Sequence, residues 1–470
     1  MASIKTSGSF KTLVLVFIIF CVGNNFGQSL TNTKINGYRG IWFQLNQKYE
    51  YGDKYSGALG TYTAKHVPLA IYAPEVEKTF FVYGGSPSED KKYLLCMIGE
   101  FDHKTEMVSR PTVVFDKNGV DDPHDNPSIL IDASGYIWVF ISGRGTNRPG
   151  YKYKSKTPYS IQEFVQITEE EMTYPQPRYT DFGFFHFFTK YTGVRQLYYE
   201  TSKDGISWTE DRLLTAIPEK QGEKSGHYQV SDLYNGKLLG TFLNRHPNGN
   251  VDKRTDLYYL QTADFGATWT TVNAIKIPIP LEELDSPAKA VDYASLEKNV
   301  YLKDMGFDAK GNPACLYIRS NGHEPGPKSA PYEWCITKWT GTEWQTSVVT
   351  TSDHNYDMGS LFISEDHWKI VGPTEQGAQD WGVGGELAMW QSEDQGATWK
   401  KIKVLTEQSS LSHSYVRKAV NFKPPFCFFW ANGHSHQSSK SELYFGNFKG
   451  NIWKMPYTMT EDFEKPIRIK

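Results

Sequence analysis

The sequence predicts an all-β fold, and three observations carry that prediction. Short apolar or alternating strands, bounded by Gly, Asn, Asp and Pro, run from about residue 36 to 455 with little of helical period between them. Aromatic residues make up 15% of the chain, a loading that suits strand cores. Three related turn segments also recur: TADFGATW (262–269), SEDQGATW (392–399) and the shorter SKDGISW (202–208). In each, the Asp side chain caps the turn backbone, Gly supplies a positive φ and Trp packs between sheets. Such turns speak for fold and say nothing of catalysis.

A longer unit repeats as well. It consists of a polar or His-bearing lead-in, an apolar strand, a tight turn, a second apolar strand and a polar loop. It begins near His66, His124, Tyr179, His227, Val300, His354 and His413, at spacings of about 45–75 residues. Seven units share roughly 440 residues, about 63 each, close to a four-stranded antiparallel sheet with generous loops. The expected architecture is therefore a seven-bladed β-propeller with four-stranded antiparallel blades, one catalytic domain over residues 28–470. An array of β-sandwiches would not place one His- or Tyr-led hairpin in every unit.

Composition narrows the function. A formal net charge of -3 with 22% charged residues gives no reason to expect nucleic acid as a partner. Lys5 and Lys11 precede the apolar run LVLVFIIFCV (13–22), which reads as a signal peptide over residues 1–27. That run is short for a membrane span, so the expected location is periplasmic or secreted. Four cysteines remain after the leader: Cys96, Cys315, Cys335 and Cys427. They are too few for a disulfide scaffold. Buried thiols, a Cys315–Cys335 pair across neighbouring strands, or a structural zinc held by Cys315, His323 and Cys335 are the three alternatives.

Repeat geometry gathers the polar residues. In an antiparallel hairpin the start of the first strand and the end of the second lie at one edge. Every lead-in and every exit loop should then surround one mouth of a central channel. That rim would collect His124, Asn126, Arg144, Arg148, His227, Tyr228, Arg245, His246, Arg319, His413, Tyr415 and Arg417. It is rich in His, Arg, Tyr and Asn and poor in carboxylates, with Asp125 and Glu375 the main acidic groups. Glycoside hydrolysis needs a carboxyl pair. β-Elimination at a uronic acid needs other groups: a cation or amide to neutralise the carboxylate, and a His or Tyr to take the C5 proton and another to protonate the group leaving C4. The rim supplies these types, and the chemistry requires no cofactor.

The Asp-bearing turns, GYRGIWFQL (37–45), YGDKYSGALGTYTAKH (51–66) and HDNPSILIDASGYIWVF (124–140) resemble the BNR-repeat family of exported bacterial proteins over nearly the whole chain. That family includes seven-bladed propeller ulvan lyases, which cleave a sulfated algal polysaccharide by elimination. The resemblance implies an exported carbon–oxygen lyase and an anionic, uronate- and sulfate-bearing saccharide as partner. It implies a catalytic role for His124. The lyases carry a second histidine in a Gly-His-Asn setting, where this chain has Gly143-Arg144-Gly145. Arginine stays protonated and clamps a carboxylate or sulfate without exchanging protons. The departure keeps binding and opens a second activity, dehydration of a terminal saturated uronate in an oligosaccharide.

The expected catalytic set is His124, His227, Tyr228, Arg144 and Arg245. Asn126, Arg148, His246, Arg319, His413, Tyr415 and Arg417 are expected to bind substrate. A sialidase-like glycoside hydrolase using Asp125 or Glu375, and a non-catalytic carbohydrate-binding propeller, are the competing readings.

Overall fold

The computed structural model describes residues 1–3, 29–58, 60–88, 93–219 and 222–470. The leader prediction falls on residues 4–28 and so lies outside the described residues. Among the described residues no helix is long and apolar enough to cross a membrane.

The hairpin after His124 shows how sequence makes strand here. Pro127–Ile131 and Ile137–Ile141 are β-branched and aromatic runs in antiparallel register, Pro127 opposite Ile141 and Ile131 opposite Ile137. Asp132 forms the turn between them. Its Oδ1 accepts from the Ser134 and Tyr136 amides at 2.9 and 3.0 Å, and its Oδ2 from the Trp138 indole at 2.8 Å. Gly135 takes the turn's positive φ of 81°. The hairpin returns the chain to its starting edge, where the Ser142 amide meets the Asn126 carbonyl.

The same plan repeats along the chain. Residues 127–170, 173–213, 226–291, 299–352 and 360–404 each form a four-stranded antiparallel sheet with its strands in sequence order. Residues 70–116 and 412–468 form two further runs, which merge into one sheet because Ala419–Val420 lies parallel to Ala70–Ile71. First strands of successive sheets touch one another in a closed ring, from Ala70–Ala73 through Pro127–Ile131 and Thr173–Thr180 round to Ser412–Lys423. The C-terminus is stitched back to the beginning, with Phe463–Glu464 paired to Ser109 and Val108.

Cores form between adjacent sheets, and the Asp turns pin them. Asp264 accepts from the Thr268 amide at 2.9 Å and Asp394 from the Thr398 amide at 2.8 Å. Gly266 and Gly396 hold φ at 82° and 83°. The first of these turns delivers Trp269 onto Phe185 and Tyr199 of the neighbouring sheet, with ring centroids 6.3 and 5.2 Å away. Burial of a side chain this size contributes roughly 3 kcal/mol.

One end of the channel is plugged. Lys418 Nζ lies 3.1 Å from Asp304 and 3.6 Å from Asp232, and Arg178 approaches Asp232 at 4.0 Å. These groups sit on the first strands of four different sheets.

Candidate active site

Above that plug the channel opens into a cavity holding about 750 Å³ of space, its mouth included. Tyr174, Tyr228, Tyr301 and Tyr415, from near the starts of four first strands, line it. Tyr55, Tyr62 and Tyr356 add three more phenols from loops. Lys54, Lys65, Arg144, Arg195, Arg254 and Lys303 bring positive charge, and His124 is the one imidazole among its described lining residues. Among the described residues no carboxylate lines the cavity.

His124 is fixed by its own neighbours. Asp122 caps a short 3-10 turn over Pro123–Asp125, accepting from the His124 amide at 3.0 Å. The same carboxylate meets His124 Nδ1 at 2.5 Å. A carboxylate on Nδ1 leaves Nε2 as the nitrogen that exchanges protons. Nε2 faces the Tyr62 hydroxyl at 3.3 Å. The other oxygen of Asp122 accepts from Arg144 at 2.7 Å and from Arg148 at 2.6 Å. Burial alone would raise the Asp122 pKa, but His124 and Arg144 outweigh it and hold this carboxylate well below the usual range.

The opposite wall is cationic. Arg254 donates to the Val251 carbonyl at 2.8 Å and the Tyr356 hydroxyl at 3.0 Å, and lies 4.2 Å over the Tyr301 ring. Lys65 and Lys303 are buried, and their ammonium groups donate to backbone carbonyls of Leu302 at 2.7 Å and Asn355 at 2.6 Å. Neither has a carboxylate within salt-bridge distance among the described residues. Burial pushes the Lys65 pKa well down, with Lys303 and Arg254 adding to the fall. Burial takes Lys303 down to about 7. Tyr228 stands beside this wall, 5.5 Å from Lys65 and 5.2 Å from Arg254 measured to its ring. Burial opposes its ionisation, yet Arg195 and Arg254 together hold its pKa below the ordinary tyrosine value.

Of the residues expected from sequence, the structure brings His124, Arg144, Tyr228 and Tyr415 to the cavity and leaves the others outside its lining. His227 precedes Tyr228 on one strand, so strand alternation turns it to the other face. There its Nδ1 meets the Asn244 carbonyl at 3.0 Å, and burial lowers its pKa to about 4. Arg245 pairs in register with His227 and is held by Glu219 at 2.8 Å and Asp256 at 3.0 Å. His246 is buried behind Tyr228, their ring centroids 4.6 Å apart. Asn126 donates to the Tyr62 carbonyl at 2.6 Å, Arg148 is spent on Asp122 and Asp125, and Arg319 pairs with Glu333 at 2.7 Å. Arg417 donates to the Thr63 and His66 carbonyls, bracing the loop under Tyr62. His413 accepts from the Trp430 indole at 3.0 Å and lines a separate cavity near the C-terminus.

The zinc alternative also fails to assemble. Cys315 and Cys335 are free, buried thiols, and His323 instead meets the Tyr49 hydroxyl at 3.2 Å. The one acidic cluster of metal-ligand spacing among the described residues is Glu170, Glu200 and Asp211, and the Lys152 ammonium already pairs with the first two at 2.6 and 2.7 Å. The two rim carboxylates are engaged elsewhere. Asp125 is buried against Lys117 at 2.5 Å, and Glu375 pairs with Lys401 at 2.8 Å.

Sequence reasoning missed Asp122, Arg195, Arg254, Lys65, Lys303 and Tyr62. One signal was available: a tyrosine recurs near the start of the first strand at Tyr174, Tyr228, Tyr301 and Tyr415.

Four-stranded sheets around a cation- and phenol-lined cavity define an all-β protein of repeated-sheet architecture. More particularly, the chain belongs to the BNR repeat-containing family, whose model matches residues 98–352, just over half its length. It is 21% identical over 321 residues to the ulvan lyase of Nonlabens ulvanivorans, covering 62% of this chain and 66% of that protein, a little under two thirds. To the ulvan lyase PL25 of Pseudoalteromonas sp. (strain PLSV) it is 23% identical over 338 residues, covering 64% and 67%. The solved structure of a PL25 ulvan lyase bound to -[GlcA(1-4)Rha3S]- superposes with a TM-score of 0.69 at 17% identity, over 85% of this chain and 96% of that one. This last likeness concerns the fold.

Proposed function

We propose that the chain is a seven-bladed β-propeller, a single domain after a cleaved leader, that eliminates at a uronic acid of an ulvan-type saccharide. The five four-stranded sheets, the two runs that merge residues 70–116 with residues 412–468, and the closed ring of seven first strands support the blade count. One observation carries the chemistry: the cavity pairs an Asp-oriented histidine and clustered tyrosines with unneutralised cations, and its described lining holds no carboxylate. That lining lacks the acid pair of a hydrolase. The named relatives are ulvan lyases, and the solved one holds a glucuronate-containing ligand, which accords with the same substrate class.

In this reading the substrate carboxylate meets Lys65, Lys303 and Arg254, whose charge acidifies the C5 proton. Tyr228, its ionisation favoured by Arg195 and Arg254, takes that proton. The C5–H and C4–O bonds break and a C4=C5 double bond forms. His124, with Tyr62 on its Nε2, gives a proton to the C4 oxygen, which leaves as a sugar hydroxyl in a polysaccharide lyase or as water in an oligosaccharide dehydratase. Arg144 stands at the mouth, where a sulfate or neighbouring carboxylate would pass.

Incubation with ulvan and with its saturated oligomers, followed by the absorbance of the unsaturated uronate, tests the proposal. New absorbance on at least one substrate is expected. New reducing ends without absorbance would establish the hydrolase reading instead. Export is tested by sequencing the mature N-terminus, expected near Gln28.

A further inference from the structure

The cavity is closed on two sides by features that the elimination step does not use. Its floor is the ion network of Arg178, Asp232, Asp304 and Lys418. Arg178 and Asp232 each follow a cavity tyrosine by four residues on one strand, a depth of roughly 13 Å at about 3.3 Å per residue. No chain can leave through that end.

The second closure is a strap. Strand Gly40–Gln44 pairs with Ser439–Ser441 on one edge and Ser56–Ala58 on the other. Between them residues 45–55 form a small hairpin that crosses the exit loops of four successive sheets. Lys54 pairs with Asp252, and the Tyr49 hydroxyl meets His323 at 3.2 Å. Tyr51 lies edge-on to Trp381 at 6.1 Å, and Gly52 passes so close to His436 that a Cβ would fall 2.5 Å from its ring. The strap contributes Gln47, Lys54 and Tyr55 to the cavity wall, and Tyr55 stacks on Tyr356 at 5.1 Å. Across from it, half-buried Arg144 and Arg195 mark the open edge.

We infer that residues 45–55 are an end-stop, which admits the terminal sugar of an acidic saccharide and excludes internal residues of a long chain. The inference rests on the elimination reading. A bound polymer needs an exit as well as an entrance, and the strap occupies the half of the rim where the exit would lie. The remainder of the chain then leaves past Arg144 and Arg195, whose charges suit its anionic groups.

The test compares ulvan samples of equal mass and different mean length, assayed for unsaturated uronate and for size by gel filtration. Halving the mean length doubles the ends, so the initial rate is expected to about double, with no early fall in polymer size. An early collapse of polymer size at a length-independent rate would overturn the end-stop while leaving elimination intact. Absence of unsaturated product from every length overturns the elimination reading and this one with it. The strap itself is tested by Tyr51→Ala, which removes its Trp381 anchor outside the cavity. That variant is expected to gain shortening of long chains relative to the parent. A folded Tyr51→Ala protein with unchanged end selection would overturn the assignment to the strap.

Discussion

Replacing Lys303 by Met should make the protein more stable and less active. Lys303 is an ammonium group buried in the cavity wall, bonded to the Asn355 carbonyl and lacking a carboxylate in salt-bridge contact among the described residues. Its pKa falls from 10.5 to about 7, and burial is the main cause. At about 1.36 kcal/mol per pH unit that fall corresponds to roughly 5 kcal/mol of penalty for holding the charge. The lost hydrogen bond returns about 1 kcal/mol, and imperfect packing of Met a similar amount, leaving a net gain of about 3 kcal/mol. With about 2.1 cal/mol/K of unfolding entropy per residue over roughly 440 residues, Tm should rise by about 3 °C. The gain has a definite pH dependence. Below about pH 7 the folded protein carries the full penalty. Between about pH 7 and 10.5 the unfolded chain still binds a proton that the folded one has released, so the parent gains stability as pH rises. The advantage of Lys303→Met should therefore shrink across that window and vanish above it. Thermal melts at several pH values read it, with initial rates on ulvan oligomers alongside. A variant that melts lower than the parent at pH 7, or whose advantage grows with pH, would refute the reasoning.

The remaining predictions concern other groups. Tyr228→Phe should lose about 10²–10⁴-fold in elimination rate while still binding oligomers, as measured by calorimetry. Arg195→Gln removes a charge that lowers the Tyr228 pKa, so the rising limb of the rate–pH profile should move to higher pH. Asp122→Asn should lower kcat with little change in KM, because His124 loses the carboxylate that sets its tautomer. Trp269→Ala should cost roughly 3–5 kcal/mol in denaturant melts and leave the catalytic constants of the folded fraction unchanged, since Trp269 packs between sheets away from the cavity.

The architecture was legible because its devices are local. An Asp-bearing turn needs only a few consecutive residues, and a hairpin's two ends can be paired by counting. That logic joined His124 to Arg144 through the Asp132 turn, and Asp122 does bridge them. It faltered where the face of a strand had to be known. His227 and Tyr228 are neighbours in sequence, and only the register decides that the phenol enters the cavity while the imidazole turns away. The histidines attracted notice as titratable groups, yet burial and backbone bonds occupy several of them. His354, for example, meets the Asp53 carbonyl at 3.2 Å. Arg254, Lys65 and Lys303 escaped because a basic residue in a strand or loop reads as solvated surface. Only the closed ring shows that these three point inward.

The pairing of Phe463–Glu464 with the run of residues 70–116 has a consequence for how the molecule comes into being. Tyr415 and Arg417 belong to the last sheet of the ring, and the clasp at Phe463–Glu464 follows them in sequence. Until residues 412–468 have met residues 70–116 there is no circle, hence no inward-facing cations and no pocket. A chain whose two end runs have not met is thus an open ribbon of sheets, and it acquires its cavity only after they join. A tag placed at an internal loop tip such as Gly193, with nothing within 4 Å of where its Cβ would be, leaves that clasp free.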